Sequence, residues 1–245
     1  MTNPVETHVA AEVVGTAPSL RVFGMVAANL PNHVDEAALS EIREAALASL
    51  RSLGAESDKL SEIEPFASWR KVFGAMGLQP SKYRSSIEAL VRRALKGSLP
   101  STGVPVVDIY NAASTRFLTP MGGYDLAKLQ GRIDLRPVRE GDAFDPLGGD
   151  ASAFPLTGRV LVYADAQRII CYGLNHRDSK QTCIEPVTTD AVFFAESLDR
   201  SSPAAARASL RWLSTELEGL GALCGTIFEA TPHATQGAES WDETV

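Results

Sequence analysis

Four groups of polar residues stand where the chain is expected to turn, and they carry most of the chemistry this sequence offers. Asn111 follows the run VPVVDIY (104–110), and Gly122-Gly123-Tyr124-Asp125 form a glycine turn. Asn175-His176-Arg177 close the run IICYGL, and Glu196 ends AVFFAE. An amide or a carboxylate can orient a substrate or a water, and an imidazole can take a proton. Paired glycines let a backbone approach a ligand and expose N–H groups to it. Taken singly, each of these residues reads more simply as a turn former. Together they could line one pocket if the fold brings them to one place.

The commoner catalytic signatures are missing. The chain has no Gly-x-Gly-x-x-Gly after a strand, no Gly-Lys-Ser/Thr phosphate loop and no Gly-x-Ser-x-Gly elbow. Of the four histidines, His8 and His233 fall near the ends, His33 precedes a helix, and only His176 sits among strands. It is therefore the one plausible base for a nucleophile, although a turn histidine is the plainer reading. No His/Cys/Asp/Glu cluster has metal-ligand spacing, so neither a metal nor a cofactor is expected. Three cysteines (Cys171, Cys183, Cys224) form no disulfide framework and no C-x-x-C pair. The first twenty residues contain no Lys or Arg and no apolar h-region, and no apolar run approaches the ~18 residues of a membrane span. A reducing cytoplasm is the expected setting, with no membrane partner.

Charge is unevenly spread. The 245 residues carry a net charge of −7, yet residues 68–97 hold seven basic side chains against Glu88 alone. That segment reads either as a phosphate-contacting surface, with Arg84, Arg92, Arg93 and Lys96 on it, or as an internal partner for the acidic residues 1–67. The overall acidity gives no reason to expect DNA.

Periodicity supplies the elements that must position these groups. A strand is expected at 20–27, and helices at 35–53, at 85–96 behind a Ser85/Glu88 capping box, and at 203–220. Short apolar runs at 104–110, 132–138, 159–164, 168–174 and 191–196 read as strands, as does 222–229. The sum is one compact α+β domain over 18–230, with mixed or antiparallel strands packed on about three to five helices. Residues 1–17 and 231–245 read as flexible tails.

The run VDIYNAASTRFLTPMGGYDLAKL (107–129) resembles the editing domain of the phenylalanyl-tRNA synthetase β-subunit, the B-three/B-four domain. The likeness continues through 133–136, Gly141-Asp142, Leu147-Gly148, LVYAD (161–165) and 189–196. The upstream SWRKVFGAMGLQPSKYRSSIEALVRRALKG (68–97) resembles freestanding relatives of that domain, so the likeness covers about 20–230. It implies hydrolysis of mischarged aminoacyl-tRNA by a positioned water, without a covalent nucleophile. Asn111 corresponds to the family's pocket Asn, with Tyr110 beside it as a substrate contact. Glu196 corresponds to the Glu that reads a tyrosine hydroxyl, with one extra residue after Val192. Gly122 stands where the family has a pocket His, which implies a roomier pocket and a different amino acid. His176 then becomes the one imidazole able to substitute, and the expectation is a rate without a histidine inflection. The implied activity is a trans-acting aminoacyl-tRNA deacylase with aminoacyl-tRNA or tRNA as partner. A non-catalytic tRNA- or RNA-binding module and a small-molecule enzyme or binder on the same scaffold stay open as alternatives.

Overall fold

The computed structural model describes residues 5–52, 54, 59–198 and 203–230. The chain folds as α+β, with two sheets and a layer of helices. Strands β1 (Thr7–Val9), β4 (Ile133–Pro137), β5 (Leu161–Ala164), β6 (Ile169–Tyr172) and β7 (Arg177–Asp178) form one sheet in the order β1-β4-β5-β6-β7. The other runs β10 (Phe228–Ala230), β2 (Arg21–Ala28), β8 (Ala191–Ser197), β3 (Met121–Asp125), with β9 (Leu223–Cys224) also on β2. Every pairing is antiparallel except β1 on β4.

The two faces of β8 build the two halves of the core. Its side chains alternate, as a strand requires. Val192 and Phe194 join Val22 and Val26 against Ile133, Leu161 and Tyr163 of the first sheet. Phe193 and Ala195 join Phe23 and Met25 against helices α2 (Glu36–Ser52), α5 (Pro105–Phe117) and α6 (Pro203–Gly219). Helices α3 (Phe66–Ala75) and α4 (Ser86–Ala94) belong to the first half through Phe66, Trp69, Phe73, Ile87 and Val91. A single turn, α1 (Val13–Thr16), completes the helices among the described residues. Both faces of β8 are buried, which explains why its sequence is a continuous apolar run.

Three local readings of the sequence are corrected. The run 104–110, expected as a strand, begins α5. Pro105 occupies the first helical position, where its missing N–H costs nothing, and Asp108 in the first turn accepts hydrogen bonds from Thr102 N and Oγ1, both at 2.8 Å. Packed between the sheet and neighbouring helices, α5 is apolar on several sides, so its period is hidden. The expected strand 222–229 is broken into β9 and β10, both on β2. Phe228 lies so close over Gly24 that a Cβ there would sit 2.2 Å from its ring. Finally, residues 7–17 are not a tail: Thr7–Val9 pairs with Ile133–Leu135, and Val9, Val13 and Ala17 are buried. The segment is too short for periodicity to reveal it. Residues 231–245, the other expected tail, lie outside the described residues.

This placement makes Val13 a core residue. Val13→Ala is expected to lower unfolding stability by about 1–3 kcal/mol in chemical denaturation. A neutral result would return residues 7–17 to the status of a tail.

Candidate functional site

The ends of β3, β5, β7 and β8 meet the turn after β6 around a cavity of about 60 Å3. Gly173 (φ +64°) and Leu174 (φ +61°) both take the left-handed conformation, which reverses the chain and brings Asn175 and His176 to the cavity wall. Glycine suits the first position twice over, because a Cβ would also press within 3.2 Å of His176. Leu174 adopts this region at a cost of order 1–2 kcal/mol.

Glu196 lies at the centre and is only 4% exposed. Tyr163 Oη donates to its Oε1 at 2.6 Å, and Asn175 Nδ2 donates to its Oε2. Burial pushes the carboxyl up to about 7, against the pull of these two donors and with help from the charge of Asp178. Asp178 also lines the cavity, where Tyr124 Oη donates to its Oδ1 at 3.3 Å. Burial raises its pKa too, opposed by hydrogen bonds from Cys171 and Tyr124. Cys171 is held well above the ordinary thiol value by burial, so it remains a protonated thiol and a poor nucleophile.

His176 shows a different balance. Its Nδ1 lies 2.8 Å from the Arg84 carbonyl oxygen, which can only accept, so Nδ1 carries the proton and Nε2 the lone pair. The ring is surrounded by Phe73, Tyr83, Phe154 and Tyr172, with centroids 5.2–6.4 Å away. Burial lowers its pKa below 6.5, although the Arg84 carbonyl pulls the other way. The imidazole is therefore neutral at neutral pH.

A basic groove adjoins the cavity. Arg84, Ala89, Arg92, Arg93 and Lys96 line a concavity of about 370 Å3 along α4. Ser85 caps this helix by accepting from Glu88 N, as the capping box predicts, but the Glu88 carboxylate serves other partners. It is fully buried, takes Arg70 through two bonds of 3.0 and 2.8 Å, and accepts from Arg92 Nε at 2.9 Å. Arg84 Nε stands 3.8 Å away. Burial pushes Glu88 upward, but the hydrogen bonds from Arg70 and Arg92 prevail and hold it below the usual carboxylate value. Among the described residues, Glu88 is thus a carboxylate of the basic segment itself that pairs with that segment's arginines.

Comparison with known families decides the class. The family described as B3/4 domain matches residues 68–218, more than half of the chain. The chain belongs to the B3/4 domain family. Every residue lining the cavity and the groove falls inside the matched span. An N-terminal fragment of the phenylalanyl-tRNA synthetase β-subunit from Pyrococcus horikoshii aligns with 91% of this chain and 50% of its own length. Identity over that alignment is 13% and the TM-score is 0.47. The chain thus spans about half the length of that fragment. No curated protein matches the chain.

Within this B3/4 domain the structure brings Gly122, Asn175, His176 and Glu196 to one cavity, and Arg84, Arg92, Arg93 and Lys96 to one groove. A Cβ at Gly122 would lie 3.3 Å from Tyr124 Oη and 4.0 Å from Asp178 Oδ1, so a side chain there would enter the cavity. The other expected pocket residues are elsewhere. Asn111 sits on α5, off the cavity wall, with its carbonyl accepting from Thr115 Oγ1 at 2.9 Å. Tyr110 is buried against Phe193, on the helix-covered face of the sheet. A Cβ on Gly123 would strike Ile184 and Phe193 on that same face. The reason is alternation: Phe194 and Glu196 look toward the cavity, so Phe193 and everything packed on it look away. Tyr124, part of the glycine turn singled out in the sequence, also lines the wall, whereas sequence reasoning missed Tyr163, Cys171 and Asp178, which occupy strand positions that read as ordinary core or turn. Among the described residues no group of three or more His, Cys, Asp or Glu is arranged to hold a metal ion. No helix among them is long and apolar enough to cross a membrane.

The raised carboxyl of Glu196 has a consequence for stability. The folded state holds its proton up to about pH 7 while the unfolded chain releases it near 4.5, so folding binds protons between those values. This residue's contribution to stability therefore declines as pH rises through that window and levels off above it. Glu196→Gln has no such proton to lose. In denaturation series from pH 4.5 to 8, its stability relative to wild type should improve up to about pH 7 and then stay constant. A pH-independent difference between the two proteins would reject the raised pKa.

Proposed function

We propose that this B3/4 domain binds the aminoacyl end of tRNA and hydrolyses the ester that joins amino acid to ribose. The observation that carries the reading is the junction of groove and cavity at residues 84–86. Arg84 belongs to the groove, while its carbonyl anchors His176. Ser86 belongs to the cavity wall, while its N–H donates to the Asn175 carbonyl at 3.0 Å. A cationic groove beside a small cavity suits a molecule with a phosphate backbone and a small group at its end.

The chemistry asked of the site is modest. Water oxygen bonds to the ester carbonyl carbon, the bond from that carbon to the ribose oxygen breaks, and the ribose hydroxyl leaves with a proton. The products are the free amino acid, as its carboxylate, and uncharged tRNA, with one proton released to solvent. Neutral His176, with Nδ1–H anchored and Nε2 open as an acceptor, has the tautomer of a general base for that water. Asn175 and the two carboxyls position the amino acid. Asn111, which the family likeness assigns to the pocket, has no part in this reading because its helix lies off the cavity wall.

Two measurements test it. Deacylation of a panel of charged tRNAs should be catalysed by the wild type, with a rate that falls below a pKa under 6.5. His176→Ala should lose about 10²–10⁴-fold and the inflection with it, while Asn111→Ala stays within a few-fold of wild type. Equal loss in Asn111→Ala would restore the amide to the site and remove the imidazole. For the groove, Arg93→Ala with Lys96→Ala should weaken tRNA binding and flatten its log–log salt dependence by about 0.7–0.9 for each phosphate no longer neutralised. These two are preferable to Arg92→Ala, which would also strip a hydrogen bond from buried Glu88. Salt-dependent tRNA binding without hydrolysis would leave a carrier module in place of an enzyme.

A further inference from the structure

The cavity's dimensions and wall say more about what enters it than its family does. A space of about 60 Å3 holds a few waters or a group of one to three heavy atoms. For comparison, an apolar cavity that binds benzene has a volume of about 150 Å3. The volume is small although Gly122 contributes no side chain, because the protein's own aromatic residues occupy the room. Tyr163 is 2% exposed and stacks on Phe194, with centroids 5.5 Å apart and planes at 26°. Its hydroxyl reaches Glu196, and Asn175 takes the second carboxylate oxygen. Each oxygen of Glu196 thus already meets a protein donor, and one of those donors is a phenol.

We propose that Tyr163 is the specificity-determining residue of this site, an internal surrogate for an aromatic side chain, and that the cavity admits aminoacyl groups of the glycine, alanine and serine class while excluding tyrosine and phenylalanine. The inference rests on the aminoacyl-ester reading above and narrows it to a substrate class. The remaining wall suits such a group. The carboxyls of Glu196 and Asp178, both on the cavity wall, offer acceptors for the α-ammonium that every aminoacyl ester carries. The room left by Gly122 is bounded by Tyr124, whose hydroxyl would lie 3.3 Å from a Cβ at that position.

The test compares substrates within one protein, so that a general loss of activity cannot imitate the result. With glycyl-, alanyl-, seryl-, tyrosyl- and phenylalanyl-tRNA, wild type should favour the three small residues by at least tenfold in kcat/KM. Tyr163→Phe keeps the ring and should keep that ratio, whereas Tyr163→Ala should bring the aromatic substrates to within about threefold of alanyl-tRNA. A wild type that cleaves tyrosyl-tRNA as fast as alanyl-tRNA overturns the proposal even though hydrolysis itself is then established. If Tyr163→Ala fails to fold, the wild-type ratio still decides. If no charged tRNA is cleaved, the hydrolytic reading fails and the size selection is read by binding. L-alaninamide should then shift the NMR resonances of the Asn175 side-chain amide and Gly122, and L-tyrosinamide at equal concentration should leave them unmoved. Equal shifts from both amides, or none from either, overturn the inference.

Discussion

A single chain of hydrogen bonds holds the functional end of this domain together. Tyr163 on β5 donates to Glu196 on β8, Asn175 in the turn after β6 donates to the same carboxylate, and the N–H of Ser86 at the start of α4 donates back to Asn175. Through these contacts both sheets and the helix bearing the basic groove are registered against one buried group. Burying a carboxylate costs several kcal/mol unless donors compensate it. Here two donors compensate in part, and the residual cost appears as a proton held to about pH 7. What the arrangement secures is geometry more than stability. An apolar replacement would pack the sheets together but would leave the Asn175 side chain without its carboxylate partner in the turn that carries His176.

Glu88 does the corresponding work for the groove. Fully buried, it faces three arginines, of which Arg70 grips it bidentately. Such a pairing ties Arg70 of α3, Arg84 in the turn before α4 and Arg92 of α4 to one carboxylate, so that guanidinium groups from three places approach one another without net repulsion. The two buried acids therefore have opposite electrostatic fates. Hydrogen bonds from Arg70 and Arg92 hold Glu88 below the usual carboxylate value, whereas burial pushes Glu196 up to about 7.

The alternation of β8 links these features to the fold. One face supplies Phe194 and Glu196 to the space between the sheets, and the other supplies Phe193 to the helical layer. A one-residue slip in the register of β8 on β2 and β3 would exchange the two sets and abolish the cavity. The many apolar neighbours on both faces make that slip costly, so the site inherits its precision from the core.

Much of this was legible from residue order. The leucine stripes of α2 and α6, the capping box of α4 and the apolar runs of β2, β4, β5, β6 and β8 are local patterns, and local physics sufficed to read them. The basic segment was legible too, because Arg84, Arg92, Arg93 and Lys96, close in sequence, line one groove along α4. The likeness over 107–129 pointed to Asn111 with Tyr110 beside it, and the paired-glycine reading to Gly123, none of which lies on the cavity wall. Only tertiary structure could show that 104–110 is a buried helix, since an apolar run with neighbours on all sides has no period to display. Only it could show that Thr7–Val9 closes a sheet by pairing with residues more than a hundred positions away. The same holds for the cavity. Tyr163, Asp178 and Glu196 are separate in sequence, and each in its own strand looks like core or turn. Their joint identity as a polar cavity exists only when three strands meet, because burial and proximity, which shift their protons and limit the space among them, are properties of the packed chain.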